Sequence, residues 1–282
     1  MASPEIPALL GRYRPHNIIG RGGEASIFRA TDEILGREVA IKLYRSGGEE
    51  EMTQYRTETA ALARLSHHGI VSLLDAGIDY SDPDDPRPFL VEELVSGMDL
   101  QSALTQRELT VEEVAEIAYD VSEALEYIHA NGVVHRDIKP SNVMLVEYGT
   151  TTFRARARLT DFGIASGLTA TTGPETGATT GTAAYLSPEQ ALREGATSAS
   201  DIYSFGLVLL ECFTRKVTFP GSAVTSAMAR VQNDPAIPGE LPDGWSGVLA
   251  RMTDHDPARR PTAEQLTPVF REAVIRATRV AG

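Results

Sequence analysis

The chain has 282 residues, of which 42% are hydrophobic, so it can bury a sizeable core as one large domain or two smaller lobes. Its formal net charge of −13 and its acidic isoelectric point argue against nucleic acid or an anionic membrane surface as a main partner. The single cysteine, Cys212, excludes an internal disulfide and fits a reducing cytoplasm. The spacing of the six histidines predicts no zinc site, and no apolar run is long enough for a membrane span.

The first predicted element is a strand, a glycine-rich turn and a second strand over residues 18–27. Gly20, Gly22 and Gly23 would let backbone N–H groups approach a phosphate closely. A plain glycine hairpin would give the same pattern, so this stretch alone leaves both interpretations open. No G-K-[ST] follows, which disfavours a Walker-type phosphate loop.

The next two elements carry a cation and a carboxylate on apolar surfaces. Residues 38–43 alternate like a strand that includes Lys42, and residues 50–65 predict a helix with Glu58 on its apolar face. A carboxylate on a buried stripe needs a cation, so the pattern favours a Lys42–Glu58 pair. The alternatives are a lysine that faces water and a glutamate that only borders the stripe.

Two further strands, 70–78 and 88–94, are predicted on either side of an acidic, exposed connection. The pattern then turns helical. Thr110 and Glu113 have the spacing of a capping box, and an amphipathic scaffold helix is expected from there to Gly132.

A polar loop at residues 135–142 lies between two short apolar runs. Asp137 can accept a proton, Lys139 can neutralise phosphate charge, and Asn142 offers a hard oxygen to Mg²⁺. A chance polar loop is the alternative, and the motifs elsewhere in the chain decide against it.

After this loop, residues 153–159 alternate and predict a strand with three arginines on one face, more simply a solvated face than an anion site. Asp161 follows at once in Asp-Phe-Gly, where a hairpin would return a second acid to the cleft of Asp137. Residues 164–184 are rich in Thr, Gly and Ala, which predicts a mobile loop.

In this order the motifs resemble those of the protein kinase family. Residues 135–142 are similar to its H-R-D-L-x-x-x-N catalytic loop, residues 39–42 match V-A-I-K, and residues 161–163 match D-F-G. The glycine turn resembles G-x-G-x-x-G-x-V, with Ala25 at the third glycine and Ile27 at the valine. Residues 181–189 resemble the end of the family's activation segment, with Ser-Pro-Glu in place of A-P-E.

The resemblance covers most of the chain and implies an α+β, protein kinase-like fold with two lobes and ATP between them. The small lobe would hold a five-stranded antiparallel sheet and one helix, and the larger lobe would be mainly helical. The implied divisions are a domain at 13–274, an N-lobe at about 13–92, a hinge at about 93–97, a C-lobe at about 98–274, and flexible ends at 1–12 and 275–282.

The resemblance also assigns roles to the polar loop. Asp137 would accept the proton of the acceptor hydroxyl or orient that hydroxyl, and Lys139 would stabilise the transferring γ-phosphoryl group. Asn142 and Asp161 would bind Mg²⁺, with Mn²⁺ as an alternative ion. Positioning and charge neutralisation would supply most of the rate.

Lys42, held by Glu58, would bind the α- and β-phosphates of ATP. Glu92, at the back of the adenine pocket, is a departure from the family. The remaining ATP contacts that the resemblance implies come from the glycine turn, the hinge, an apolar adenine slot and the D-F-G acid: Ile19, Gly20, Arg21, Gly22, Gly23, Glu24, Ala25, Ser26, Ile27, Ala40, Glu93, Val95, Met144 and Asp161.

Five residues would have structural roles. Asp201 would bond backbone N–H groups and steady the catalytic loop, and Arg260 would pair with Glu189. Arg136 would be the main cation for a phosphorylated activation segment, and Thr182 would precede the substrate-binding turn.

The candidate phosphorylation sites are Thr176, Thr179 and Thr180. Ser166 stands where a basic residue often pairs the phosphothreonine, so a requirement for phosphorylation is left open.

Lys139 and Thr182 follow the serine/threonine pattern, and the sequences of the motifs look most like those of the bacterial Ser/Thr kinases. The expected partners are protein substrates with Ser/Thr acceptors and a second copy of the chain for autophosphorylation, with no nucleic acid. A cytoplasmic location is expected, for a soluble member or a cut-out catalytic domain.

Two alternatives to an active protein kinase are weighed. A pseudokinase would be a nucleotide-binding scaffold, for which Ala25, Glu92 and Ser166 are the only signs. A small-molecule phosphotransferase would usually lack the activation segment and the Ser-Pro-Glu turn.

Overall fold

The structure, a computed structural model, describes residues 8–22, 25–146, 155–162 and 182–281. The described residues form two compact units. The first lies within Met1–Ser66 and Val71–Val95, and the second within His67–Ile70, Ser96–Gly163 and Ala178–Gly282. The chain therefore passes from one unit to the other after Val95, inside the predicted hinge.

The first unit contains the predicted five-stranded antiparallel sheet and one helix. The sheet order is β1-β2-β3-β5-β4. Its elements are β1 (Tyr13–Arg21), β2 (Ala25–Asp32), β3 (Arg37–Tyr44), α1 (Glu49–Leu62), β4 (Leu73–Asp79) and β5 (Arg87–Glu93).

Alternate residues of these strands form the core of the first unit, as the period of two along a strand requires. The cluster comprises Leu9, Tyr13, Phe28, Ala30, Val39, Ile41, Leu43, Phe89 and Val91. Helix α1 is fixed to β5 by Tyr55, whose hydroxyl donates to the carbonyl of Phe89 at 2.6 Å. Leu9 is only 2% exposed and belongs to this core, although it lies within the flexible end predicted at 1–12.

The second unit is mainly helical, as predicted. A three-stranded sheet of order β6-β7-β8 accompanies the helices. The elements are β6 (Gly97–Asp99), α2 (Leu100–Gln106), α3 (Val111–Ala130), β7 (Val143–Val146), β8 (Arg156–Leu159), α4 (Pro188–Ala191), α5 (Ser198–Thr214), α6 (Ala223–Gln232), α7 (Trp245–Met252) and α8 (Ala263–Ala281).

Two of these helices illustrate how the sequence sets their position. Helix α3 begins with the predicted capping box: the Thr110 hydroxyl accepts the N–H of Glu113, whose carboxylate accepts the N–H of Thr110. Helix α5 is mostly apolar, and residues 200–212 are all buried. Such a helix belongs in the interior of its unit.

Helix α8 continues through Ala281, past Val274, at which the domain was predicted to end. Leu266, Phe270 and Ala273 are buried along one face of this helix, as expected of an amphipathic helix that packs on one side. The flexible end predicted at 275–282 is therefore helical as far as Ala281. Within the described ranges, every helix is too short or too polar to span a lipid bilayer.

Candidate active site

The predicted catalytic loop leaves helix α3 and runs to strand β7 through a 3₁₀ turn, Pro140–Asn142. Proline at the first position of that turn is pre-set to a helical φ angle. Asn142 is buried, and its carbonyl accepts the N–H of Thr160 at 3.0 Å. This bond ties the end of the loop to the residue that precedes Asp161.

Asp137, Lys139 and Asn142 form a compact polar cluster. Nζ of Lys139 donates to Oδ2 of Asp137 at 2.8 Å, and Nδ2 of Asn142 donates to the same oxygen at 3.0 Å and to the Asp137 carbonyl at 2.8 Å. The side chains of Asp137 and Lys139 are each a little under one-fifth exposed. Because its nitrogen is bonded to Asp137, the Asn142 amide presents its oxygen as the atom for a cation.

Asp201 holds the beginning of this loop from helix α5. Its Oδ2 accepts the backbone N–H of His135 and its Oδ1 that of Arg136, both at 2.8 Å. Nε2 of His129 lies 2.9 Å from Oδ2. The carboxylate is 1% exposed and sits in the first turn of α5, where the helix dipole favours negative charge. The contact expected for Asp201 is thus present.

His135 joins the catalytic loop to the Asp161 segment, a role that the sequence reasoning missed. Its Nε2 lies 3.0 Å from the Thr160 carbonyl, and its ring centroid lies 4.6 Å from that of Phe162. Burial lowers the pKa of His135, so the ring is neutral at neutral pH. A neutral ring can donate from Nε2 to Thr160 while Nδ1 accepts the N–H of Asp137 at 3.4 Å. In the sequence, only the position of His135 in the catalytic-loop motif indicated a role for it.

Two residues of the site have left-handed backbone conformations that glycine normally adopts. The φ angles are +70° at Arg136 and +58° at Asp161. Such a conformation costs about 1–3 kcal/mol and persists only where neighbours fix it. At Arg136 both backbone polar groups are bonded: the N–H to Asp201, and the carbonyl by Nε2 of Gln190 at 3.0 Å. Strain of this kind is typical of functional sites.

Glu189 and Arg260 form a buried, bidentate ion pair. The two N···O distances are 2.7 and 2.9 Å, and Ser200 Oγ donates to Glu189 at 2.7 Å. Burial by itself would raise the pKa of Glu189, but the hydrogen bonds from Arg260 and Ser200 outweigh it and lower the pKa to about 2. The guanidinium of Arg260 also lies 4.8 Å from the Tyr203 ring centroid. The predicted contact is present.

The arginines of strand β8 correct the prediction of a solvated face. Arg158 is buried, and its Nη2 donates to the carbonyl of Ile70 at 2.7 Å. Arg156 lies 3.1 Å from Asp120, which is fully buried and also accepts the N–H of Ala157. Helix α3 and residues 67–70 cover this strand face, which alternation alone could not reveal. Arg154 lies outside the described residues.

In the first unit, Lys42 lies on β3 between Ile27 of β2 and Leu90 of β5. It is half-buried, and its Nζ lies 5.4 Å from the ring centroid of Tyr44. Glu58 is half-buried on α1, where it accepts a hydrogen bond from Gln54 at 3.2 Å. The Lys42–Glu58 pair stays a prediction.

Most of the expected nucleotide contacts that the structure describes in the first unit lie on the strands of the same sheet. The N–H of Gly22 donates to the Ala25 carbonyl at 2.9 Å and helps to close the turn. A methyl at Gly20 would lie 3.3 Å from the Ile27 side chain, which leaves little room for a larger residue. Ile19 is 48% exposed, while Ala25 and Ala40 are buried. Half-buried positions are occupied by Ser26, Ile27, Glu92, Glu93 and Val95, and Arg21 and Gly22 are exposed.

Met144, the expected adenine contact of the second unit, is half-buried on β7. Several predicted residues lie outside the described part of the chain: Gly23, Glu24, Gly163, Ser166, Thr176, Thr179 and Thr180. Thr182 begins the 3₁₀ turn Thr182–Ala184, and only its backbone is described.

One group of potential metal ligands escaped the sequence reasoning. Among the described residues, His67, His68 and Glu123 place ligand atoms within 4.8 Å of one another. However, Nδ1 of His67 accepts the N–H of Gly69 at 3.1 Å. A neutral ring with that lone pair engaged carries its proton on Nε2, so neither nitrogen is available to an ion. We assign no metal to this group.

Comparisons with known proteins agree with this geometry. The family model "Protein kinase domain" matches residues 13–269. The serine/threonine-protein kinase PknA of Mycobacterium tuberculosis (strain H37Ra) is 36% identical over 265 residues, which cover 92% of this chain and 60% of PknA.

Two further relatives are similar. The probable serine/threonine-protein kinase SCO3848 of Streptomyces coelicolor is 40% identical over 264 residues, covering 89% of this chain and 38% of that protein. The serine/threonine-protein kinase PrkC of Bacillus subtilis is 36% identical over 270 residues, covering 91% and 39%. The chain thus spans between 38% and 60% of the length of these three relatives.

Proposed function

The chain belongs to the protein kinase domain family, and we propose that it transfers the γ-phosphoryl group of ATP to serine or threonine hydroxyls of proteins. One observation carries the proposal. Asp137 accepts hydrogen bonds from Lys139 and Asn142 within one short loop, which puts a base, a cation and a hard oxygen side by side. Phosphoryl transfer uses such a set for positioning and charge neutralisation.

In this proposal Asp137 accepts a hydrogen bond from the acceptor hydroxyl and takes its proton as the oxygen bonds to the γ-phosphorus. The bond from that phosphorus to the β–γ bridging oxygen breaks, and ADP leaves. Lys139 stabilises the negative charge of the group in transfer. The neutral ring of His135 contributes a fixed frame for the loop and no proton.

The donor set of the second unit suits Mg²⁺, with Mn²⁺ as an alternative. The amide oxygen of Asn142 and the carboxylate of Asp161 are hard ligands. Because the Asn142 nitrogen donates to Asp137, the amide oxygen is the atom that would bind a cation. A bound ion would neutralise phosphate charge. In the first unit, Lys42, held by Glu58, and the glycine turn are proposed to bind the ATP phosphates.

The acceptor class rests on Lys139, two residues after Asp137, and on the relatives, whose names all state Ser/Thr kinases. Those names and the complete Asp137–Lys139–Asn142 cluster give the pseudokinase alternative no support. Autophosphorylation by a second copy of the chain, protein substrates beyond it, and the cytoplasmic location inferred from Cys212 stay predictions.

The test is transfer of labelled γ-phosphate from Mg-ATP to a generic Ser/Thr acceptor protein and to the chain itself, followed by phosphoamino acid analysis. We expect label on serine or threonine. ATP binding without any label would contradict the proposal and favour a scaffold.

Two variants separate the nucleotide roles. Lys42→Met should remain folded and lose transfer, and Asp161→Asn should lose magnesium-dependent ATP binding. Unchanged ATP affinity of Asp161→Asn in the presence of Mg²⁺ would refute a metal-ligand role for Asp161. Mass spectrometry of residues 169–180 after incubation with Mg-ATP tests autophosphorylation.

A further inference from the structure

Arg230 of helix α6 is a fully buried cation, with 0% of its surface exposed. Its guanidinium donates to the carbonyls of Leu186 and Ala183, the latter at 2.5 Å, and to Oγ and the carbonyl of Ser226 at 2.6 and 3.1 Å. The guanidinium carbon also lies 5.4 Å from the ring centroid of Phe219. Within the described ranges, no carboxylate forms an ion pair with Arg230.

A buried charge that is bonded only to neutral groups is costly, because those groups recover just part of its lost hydration. Burial lowers the pKa of Arg230 to about 10, so the side chain stays charged at neutral pH. What offsets this cost is that the guanidinium holds the neighbouring residues in place. Two of the acceptors belong to one short segment, residues 183–186, and Ser226 is itself fixed by donating to the Phe219 carbonyl at 2.7 Å.

Apart from the end of the 3₁₀ turn Thr182–Ala184, the segment 183–186 lies outside every helix and strand, so no β-ladder or α-helix fixes its carbonyls. Side-chain hydrogen bonds hold the segment instead. Arg230 binds its two ends, and the hydroxyl of Tyr185 donates to Glu211 of α5 at 2.5 Å. Burial raises the pKa of Tyr185 further than the carboxylate does, so this hydroxyl remains a donor.

A chain of hydrogen bonds leads from this segment to the catalytic loop. Ser187, the residue after Leu186, donates its N–H and its hydroxyl to Oε1 of Gln190 at 3.0 and 3.1 Å. Nε2 of Gln190 then donates to the carbonyl of Arg136 at 3.0 Å. Arg136 has a strained φ angle and directly precedes Asp137.

We propose that Arg230 is a positioning residue for phosphoryl transfer: it fixes residues 183–186 and, through Gln190, the backbone of Arg136 beside Asp137. The inference rests on the proposed function, because it is the reaction at Asp137 that this positioning serves. ATP binding does not depend on this path, since none of the residues proposed to bind ATP or its metal belongs to it.

The experiment compares three variants with the wild-type chain. Arg230→Met keeps much of the volume and removes the charge and donors, Arg230→Lys keeps the charge, and Arg251→Met removes an exposed arginine from α7 as a matched control. We would measure kcat with a Ser/Thr acceptor protein, the Kd for Mg-ATP, and amide hydrogen exchange of residues 183–190.

We expect Arg230→Met to lower kcat about tenfold or more, the effect of roughly 1.4 kcal/mol of lost positioning. Amide exchange in residues 183–190 should accelerate, while the Kd for Mg-ATP changes by less than about twofold. Arg230→Lys should recover part of kcat, since it can still donate to the carbonyls, and Arg251→Met should match the wild type.

The proposed path is tested by Gln190→Glu, which keeps the oxygen that caps α4 but cannot donate to Arg136. Two changes on one path are not additive, so Arg230→Met combined with Gln190→Glu should have nearly the same kcat as the more damaging single variant. If the double variant instead lowered kcat by the product of the two single reductions, this result would contradict the proposed path.

Three other results would overturn the inference: a wild-type kcat for Arg230→Met, a parallel loss of Mg-ATP affinity and kcat, or unchanged exchange in residues 183–190. Failure of the proposed function would look different. The wild-type chain would then transfer no phosphate at all, which removes the catalytic part of the inference, while hydrogen exchange would still decide whether Arg230 fixes the segment.

Discussion

Strand β3 and the catalytic loop carry the two predicted lysines of the site, yet they are held in different ways. Every residue of β3 is paired with β2, and residues 39–43 are also paired with β5. The loop at residues 135–142 has no ladder along its polar stretch. There the backbone groups of His135 and Arg136 bond to the side chains of Asp201 and Gln190 instead.

The difference determines what each region tolerates. A backbone ladder does not depend on side-chain identity, so β3 requires mainly apolar residues of suitable volume on its buried face. A loop held by buried side chains loses a hydrogen bond whenever one polar atom is changed, and the group left behind is costly to bury. Substitutions around the loop should therefore cost more than substitutions of similar size in the sheet.

The largest expected effect comes from Arg260→Met. This change leaves the buried carboxylate of Glu189 without its partner, and we expect the free energy of unfolding to fall by about 3–5 kcal/mol. Denaturant unfolding measures the loss. Arg259→Met is the matched control, because Arg259 is 74% exposed and its contact with Asp256 spans 3.6 Å. Equal losses of unfolding free energy in Arg260→Met and Arg259→Met would contradict the expectation that breaking a buried polar contact is costly.

The same pair predicts a pH dependence. The pKa of Glu189 is about 2 in the folded protein against an ordinary 4.5, so its contribution is complete above pH 4.5 and is lost as the pH falls towards 2. The difference in unfolding free energy between the wild type and Glu189→Gln should be about 3 kcal/mol at neutral pH and shrink below pH 4.5. A difference that is constant from pH 3 to 7 would rule out this origin.

Asp201→Asn should have a smaller effect on stability and a clear effect on the reaction. The amide nitrogen of asparagine would face one of the donors that now point at the carboxylate, at a cost of about 1–3 kcal/mol. Phosphoryl transfer should fall because the start of the catalytic loop is released, while Mg-ATP affinity is kept. Transfer at the wild-type rate would show that Asp201 does not position the loop.

The smallest effect is expected in the sheet. Ile41→Val removes one buried methylene from β3 next to Lys42 and should cost about 1 kcal/mol, with transfer unchanged within about twofold. Thermal unfolding and the transfer assay test this together. A large loss of transfer from so small a change would mean that β3 is as sensitive as the loop.

Much of this arrangement could be predicted from the sequence, because local pattern and motif order specify it. The Thr110 capping box and the buried α5 follow from capping residues and periodicity, whereas the five-stranded sheet followed from the family resemblance. The Glu189–Arg260 contact followed from the family resemblance.

Long-range polar partners outside the roles that the family resemblance assigns could not be predicted. Arg158 looked like a solvated residue, since alternation does not tell which strand face a helix will cover. Nothing in the sequence singled out Arg230, because its acceptors are backbone carbonyls 44 and 47 residues away, and carbonyls carry no side-chain signal in a sequence. His135 was marked by its motif, but its contacts with Thr160 and Phe162 require the folded chain.

The central claim is that Asp137 serves phosphoryl transfer, and Asp137→Asn tests it most directly. Asparagine has nearly the same shape but cannot take the proton of a hydroxyl. The measurement is the rate of labelled γ-phosphate transfer from Mg-ATP to a Ser/Thr acceptor protein, with Mg-ATP affinity and thermal unfolding measured on the same samples. We expect a folded, ATP-binding variant whose rate is lower by about 100-fold or more. A rate within a few-fold of the wild type would contradict the account.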